Sequence, residues 1–284
     1  MAKTSIIVGL GELLWDFLPT ARQLGGAPAN FAYMSHLLGN DAIVASRIGQ
    51  DDLGREAADR LKSLGLDVSH LQKDASHPTG TVAVQVRPGG QPRFTIHEHV
   101  AWDVLEWSPK WEKVAATADA VCFGTLAQRS RTSRDTIMEF LKRTKAVRIF
   151  DVNLRQHFYS TAIVRASIAM ATIVKMNASE LPIILKLLGL PRSKNGAKRL
   201  LEFGPKLVCV TRGSRGSVLL AGRQILEHPG FQIRVADTVG SGDAFTAGLV
   251  HEYLRGSSLE HMSDTANRLG SWVATQSGGT PLLQ

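Results

Sequence analysis

The residues best suited to chemistry lie in one run, Asp237-Thr-Val-Gly-Ser-Gly-Asp-Ala-Phe245. Gly240 and Gly242 let the backbone turn tightly and approach a ligand with no Cβ in the way. The segment after them, 244–254, has the pattern of a helix. Its first N–H groups have no partner within the helix, and with the helix dipole they form an anion hole. Asp243 falls in the first helical turn. A carboxylate there can accept a proton from a hydroxyl while the amides of Gly240, Ser241 and Gly242 stabilise charge on a transferring phosphoryl group.

Such a turn works only if a rigid frame holds it, and the chain alternates between two kinds of segment that supply one. Short β-branched runs at 5–10, 42–47, 118–123, 147–152, 172–176 and 206–211 read as strands. Amphipathic stretches at 27–38, 53–64, 133–143, 161–169, 178–187, 242–254 and 259–277 read as helices. Strands alternating with helices predict an α/β fold with a mostly parallel sheet covered on both faces. Right-handed crossovers then bring the strand C-termini to one edge, where ligands bind. One region departs from this rhythm. Residues 80–87 and 93–97 alternate with period two around the turn cluster Pro88-Gly-Gly-Gln-Pro92, which predicts an inserted β-hairpin. An isolated hairpin is marginal in water, so a further strand or a second subunit should pair with it. It is either a lid over the ligand edge or a structural sheet edge.

The 284 residues are 44% hydrophobic and 20% charged, as expected for one globular α/β domain spanning 1–284. Lys plus Arg outnumber Asp plus Glu by 33 to 25, a net charge of +8 that admits anionic partners without choosing one. The basic run Lys194, Lys198 and Arg199 has no interleaved aromatics and reads as a solvated face, so no nucleic-acid partner is expected. No apolar run reaches 18 residues, and Glu12 and Asp16 interrupt the N-terminal apolar stretch. Neither a membrane span nor a signal peptide is therefore expected. Cys122 and Cys209 lie in apolar strands and read as core residues of a reducing compartment, which points to the cytoplasm. A phosphate-binding G-x-x-x-x-G-K-[ST] loop is absent, and Gly9-Leu-Gly11 lacks the third glycine of a dinucleotide fingerprint. His97-Glu-His99 has no further ligand at zinc spacing.

The Asp237–Phe245 string resembles the C-terminal signature of the ribokinase-like (PfkB) carbohydrate kinases, D-T-x-G-A-G-D, with Ser241 in place of the common Ala. The resemblance runs through most of the chain. Leu24-Gly-Gly-Ala-Pro-Ala-Asn30 is similar to the family's N-terminal glycine signature, and Gly11-Glu-Leu-Leu-Trp-Asp16 to its first strand end. Asp151-Val-Asn-Leu-Arg155 is similar to the D-x-N-x-R of fructokinases and 2-keto-3-deoxygluconate kinases. Lys175-Met-Asn177-Ala-Ser-Glu180 resembles N-x-x-E, and Thr211-Arg-Gly-Ser-Arg-Gly216 resembles T-x-G-x-x-G. Asn177 and Glu180 also fit a capping box, and the Thr211–Gly216 string also fits a turn between two strands.

The resemblance implies a three-layer sandwich with a small β lid formed by about 12–24 and 80–100. It implies ATP-dependent phosphorylation of a sugar hydroxyl, with Asp243 as base, Gly240, Ser241 and Gly242 as anion hole, and Arg155 assisting. Asp16, Gly25, Gly26, Asn30 and Asn153 would hold the sugar. Lys175, Asn177, Thr211, Gly213, Gly216 and Asn267 would hold the nucleotide. Glu180 would act on Mg²⁺ through water, and Asp237 with Ser277-Gly-Gly-Thr280 on a monovalent cation such as K⁺. A homodimer through the lid strands is expected. The motif details favour the fructokinase branch, with 2-keto-3-deoxygluconate, another sugar or a nucleoside as alternative acceptor. A non-catalytic sugar or nucleotide sensor on the same scaffold is the alternative of a different class.

Overall fold

The computed structural model describes residues 4–18, 21–86 and 92–282. The predicted turn cluster at 88–92 thus lies almost wholly outside the described residues. The elements follow in chain order as β1 (Ile6–Leu10), β2 (Leu14–Phe17), β3 (Arg22–Gly25), α1 (Ala27–Leu37), β4 (Asp41–Ala45), β5 (Arg47–Gly49), α2 (Asp52–Ser63), β6 (Gln72–Asp74), β7 (Gly80–Val86), β8 (Pro92–Ile96), α3 (Pro109–Thr117) and β9 (Ala120–Phe123). They continue with α4 (Arg131–Arg143), β10 (Val147–Asp151), α5 (Thr161–Met170), β11 (Ile173–Asn177), α6 (Leu181–Leu188), α7 (Lys194–Arg199), β12 (Leu207–Thr211), β13 (Ser217–Ala221), β14 (Gln224–His228), α8 (Ser241–Leu254) and α9 (Leu259–Ala274).

The main sheet runs β14-β13-β12-β11-β10-β9-β1-β4. Its six strands from β12 to β4 are mutually parallel, whereas β13 and β14 are antiparallel. Neighbouring residues on each parallel strand feed opposite layers. Ile7, Cys122, Ile149, Ile173 and Cys209 pack with α1, α2, α8 and α9, while Val8, Val121, Phe150, Val174 and Val208 pack with α3, α4, α5 and α6. Both faces are covered, so the strands read as continuous apolar runs. This is a ribokinase-like α/β sandwich. Both cysteines are buried free thiols, as expected of core residues.

The hairpin does not stand alone. It joins a second sheet in the order β3-β2-β7-β8, with β7 parallel to β2 and antiparallel to β8. Several element bounds differ from the sequence reading. The 42–47 strand breaks at the fully buried Ser46 into β4 and β5. The 178–187 helix begins only at Leu181, because Asn177 and Glu180 first fold a turn on themselves. The 259–277 helix ends at Ala274. Sequence periodicity also passed over β2, β3, α3 and α7, elements too short or too polar to carry a clear period.

Candidate active site

The parallel strands β1, β9, β10, β11 and β12 end at Leu10, Phe123, Asp151, Asn177 and Thr211. The loops that leave these ends carry most of the sequence-predicted residues, and α8 begins against them. Gly240 caps α8 in the left-handed region (φ 75°), and no side chain caps the helix. The Ser241 hydroxyl turns back to the Thr238 carbonyl at 2.8 Å. Helix geometry leaves the Gly242 and Asp243 N–H groups without intrahelical acceptors. A methyl on Gly240 would overlap the Gly279 Cα and lie 2.9 Å from its carbonyl oxygen. The glycine turn is thus packed main chain to main chain against the 277–280 loop. Asp237 ties the two together, accepting from Val239 N and Gly278 N, each at 3.0 Å.

Asp243 Oδ2 accepts a 2.8 Å hydrogen bond from Asn30 Nδ2. Asn30 is 5% exposed on α1, whose first turn contains Pro28 and whose N-cap is Gly26 at φ 110°. A side chain on Gly26 would overlap the Glu12 carbonyl, and one on Gly25 would sit 2.6 Å from Asp16 Oδ2. The two glycines therefore let α1 start against the β1–β2 connection. Burial, and then the charge of Asp151, raise the Asp243 carboxyl to about 6, against the opposing pull of Lys175, Asn30 and Arg155. Burial also raises Asp16 to about 6, with Arg155 opposing. Arg155 is exposed, and its charge acts on Glu12, Asp16 and Asp243 alike. Asn153, two residues before it, adopts a left-handed φ of 40°.

Asn177 and Glu180 form the reciprocal pair of a capping box. Asn177 Oδ1 accepts from Glu180 N at 2.9 Å and Glu180 Oε2 accepts from Asn177 N at 2.8 Å. Glu180 Oε1 also accepts from Leu154 N at 2.8 Å, fixing the loop that carries Arg155. Burial raises the Glu180 carboxyl. Thr211, Gly213 and Gly216 lie together on the β12–β13 turn, where Gly216 (φ 73°) is packed on the His228 carbonyl. Two nucleotide candidates have internal partners. Lys175 is 7% exposed and holds Asp151, and Asn267 donates to Ser217 Oγ and the Ser263 carbonyl, each at 2.8 Å.

Sequence reasoning passed over other buried polar groups. Glu12 is 2% exposed and one of its carboxylate oxygens has no hydrogen-bond partner. Burial raises its pKa to about 7. Its only sequence signal was an acid directly after an apolar strand. Arg129 is stacked 4.0 Å over Trp102 and 4.7 Å over Phe158, and donates twice to Asp103 at 2.8 Å. It helps line a cleft of about 560 Å³ with Glu98, His99, Arg134, His157 and Tyr159. Among the described residues, no cluster of three or more His, Cys, Asp or Glu stands ready to hold a metal ion, and no helix is long and apolar enough to cross a membrane.

A family model described as pfkB family carbohydrate kinase matches residues 19–284. The chain belongs to this family. Its assignment as a kinase makes it a phosphotransferase, and the uncapped helix end with its flanking acid is the feature suited to that chemistry. The pfkB kinase is 31% identical to the fructokinase of Klebsiella pneumoniae, a match that covers 85% of this chain and 82% of that one. Fructokinase-1 of Oryza sativa subsp. japonica is 28% identical, with 99% of this chain and 95% of that one covered. Among solved structures, a sugar kinase from Pyrococcus horikoshii in complex with ATP superposes with a TM-score of 0.82 at 25% identity, over 97% of this chain and 94% of that one.

Proposed function

We propose that this carbohydrate kinase transfers the γ-phosphoryl group of ATP to a sugar hydroxyl, and that the sugar is D-fructose, yielding fructose 6-phosphate. The observation that carries the reading is the Asp243 carboxylate, held by Asn30 at the uncapped N-terminus of α8. The fructokinase relatives and the fructokinase-like Asp151-Val-Asn-Leu-Arg155 motif support the choice of acceptor. The intact acid speaks against a non-catalytic sensor.

In this mechanism Asp16, Gly25, Gly26, Asn30 and Asn153 hold the sugar. Asp243 takes the proton of the attacking hydroxyl, and its raised pKa makes it a better base than an ordinary aspartate while leaving it ionised at neutral pH. The amides of the Gly240–Gly242 turn receive the charge that develops on the transferring group, with Arg155 completing the electrostatic field. Asn177, Thr211, Gly213 and Gly216 border the nucleotide. Glu180 fits a water-mediated role toward Mg²⁺: both its oxygens accept backbone N–H groups yet keep lone pairs for bound water. The ion would neutralise phosphate charge. Asp237 and the 277–280 loop would hold K⁺. The β3-β2-β7-β8 sheet acts as a lid that excludes water, and its edge strands pair two copies into a cytoplasmic homodimer.

ADP release measured over fructose, 2-keto-3-deoxygluconate, ribose and adenosine tests the acceptor. Fructose should give the highest kcat/KM, and a higher value for any of the others would replace it. Asp243→Asn should lose about 10²–10⁴-fold in kcat while fructose and ATP still bind. Near-normal turnover in that variant would remove Asp243 as the base.

A further inference from the structure

Directly beneath the glycine turn lies an ion pair that the mechanism above does not use. Asp151 ends β10 and Lys175 lies in the neighbouring strand β11, in register with it. Both side chains are almost fully buried, at 5% and 8% exposure. Lys175 Nζ donates to Asp151 Oδ1 at 3.1 Å and to Oδ2 at 3.0 Å. Asp151 Oδ2 accepts a further 3.0 Å hydrogen bond from Thr246 Oγ1. That hydroxyl lies 2.9 Å from the Gly242 carbonyl, inside the first turn of α8. Lys175 Nζ stands only 3.0 Å from where a Gly242 Cβ would be. Two sheet strands and the helix end are therefore joined through one carboxylate.

We propose that Asp151 and Lys175 are a positioning pair, which through Thr246 clamps the first turn of α8 to the sheet edge and sets the charge that the Asp243 carboxylate experiences. The inference rests on Asp243 being the base. Ionised groups this well buried persist only when paired and hydrogen-bonded, and both partners here have those bonds. Burial opposes the charge on Lys175, but Asp151 and then Asp243 outweigh it and raise its pKa. Lys175 thus keeps its charge across the working pH range, and its ion pair with Asp151 sets a plus and a minus beside the base. The other charged groups acting on Asp243 are Arg155, on the loop after β10, and Glu12, on the β1–β2 connection. Asn30 on α1 supplies its hydrogen bond.

The test is the pH profile of kcat/KM for Asp151→Asn and Lys175→Met. Removing the negative neighbour should move the acid limb to lower pH, and removing the positive one should move it to higher pH, by about one unit in each case. A merely structural role would lower stability in both variants and move the limb in neither. Thr246→Val should lower kcat about tenfold or more with little change in KM for fructose, and Thr246→Ser, which keeps the hydroxyl, should recover most of it. Because the Thr246 variants leave both ions in place, they test the clamp even if an unpaired charge prevents folding of the others. Asp243→Asn separates the two readings. If that variant is inactive while the limbs of Asp151→Asn and Lys175→Met superpose on the wild type, or Thr246→Val matches it in kcat, the pair has no positioning role although the base assignment stands. If Asp243→Asn retains turnover, the base assignment itself fails.

Discussion

Adding a single methyl group at Gly240 probes the anion hole directly. Ala in the left-handed region costs about 1–2 kcal/mol, from the approach of its Cβ to the following carbonyl. At Gly240 (φ 75°) that strain is joined by a collision, since the methyl would overlap the Gly279 Cα and press on its carbonyl oxygen. The 277–280 loop cannot simply retreat. Gly278 N is bonded to Asp237, and Gly279 lies against Asn30, 2.8 Å from its Nδ2 to the position of a Gly279 Cβ. The turn must move instead, carrying the Gly242 and Asp243 amides with it. Loss of one oxyanion donor or a displacement near 1 Å costs about 10²–10³-fold in rate. Gly256, at the far end of α8, is the matched control: its φ is 72°, but a methyl there meets nothing within 4 Å. Gly256→Ala should lower Tm by roughly 2–6 °C through strain alone, with kcat unchanged. Gly240→Ala should show a comparable or larger fall in Tm and lose at least about 10²-fold in kcat. Steady-state ADP release and thermal unfolding of both variants decide the matter. Equal kcat in Gly240→Ala and the wild type would refute the reasoning that this turn shapes the phosphoryl site.

Three further outcomes follow from the buried charges. With Asp243 raised to about 6, kcat/KM should fall as pH drops through about 6, because protonation removes the base; a flat profile down to pH 5 would contradict it. Glu12 is raised from 4.5 to about 7, so the folded state binds the extra proton and wild-type stability falls as pH rises through that interval. The Tm of Glu12→Gln relative to the wild type should therefore climb between pH 4.5 and 7 and level off above, an effect on the order of 2–3 kcal/mol. A pH-independent difference would show that the group does not titrate there. Asp103→Ala leaves Arg129 buried and unpaired between Trp102 and Phe158, which should cost about 3–5 kcal/mol by urea unfolding, against under 1 kcal/mol if the pair contributes little.

Much of this architecture is local information. Gly240, Gly242 and Asp243 announce a helix start with an open amide cluster because the four consecutive residues 240–243 suffice to define it. The parallel strands of the main sheet are legible because residues buried on both faces leave an unbroken apolar run, as at Ile149-Phe150 and Ile173-Val174. The Asn177–Glu180 capping box was likewise written into a four-residue spacing. It shortened the following helix, because the Asn side chain satisfied the backbone before the helix could begin.

What the chain order could not express was which distant groups meet. Asn30 and Asp243 are 213 positions apart, and their hydrogen bond exists because α1 and α8 pack on the same side of the sheet. The β7–β8 hairpin required a partner strand, and only the folded chain shows that β2, more than 60 positions earlier, supplies one. Asp151, Lys175 and Thr246 are ordinary residues of two strands and a helix until the crossovers place them together. Their roles, like the raised pKa of Glu12, depend on the exclusion of water and on the charges that remain within reach, and both are properties of three-dimensional packing.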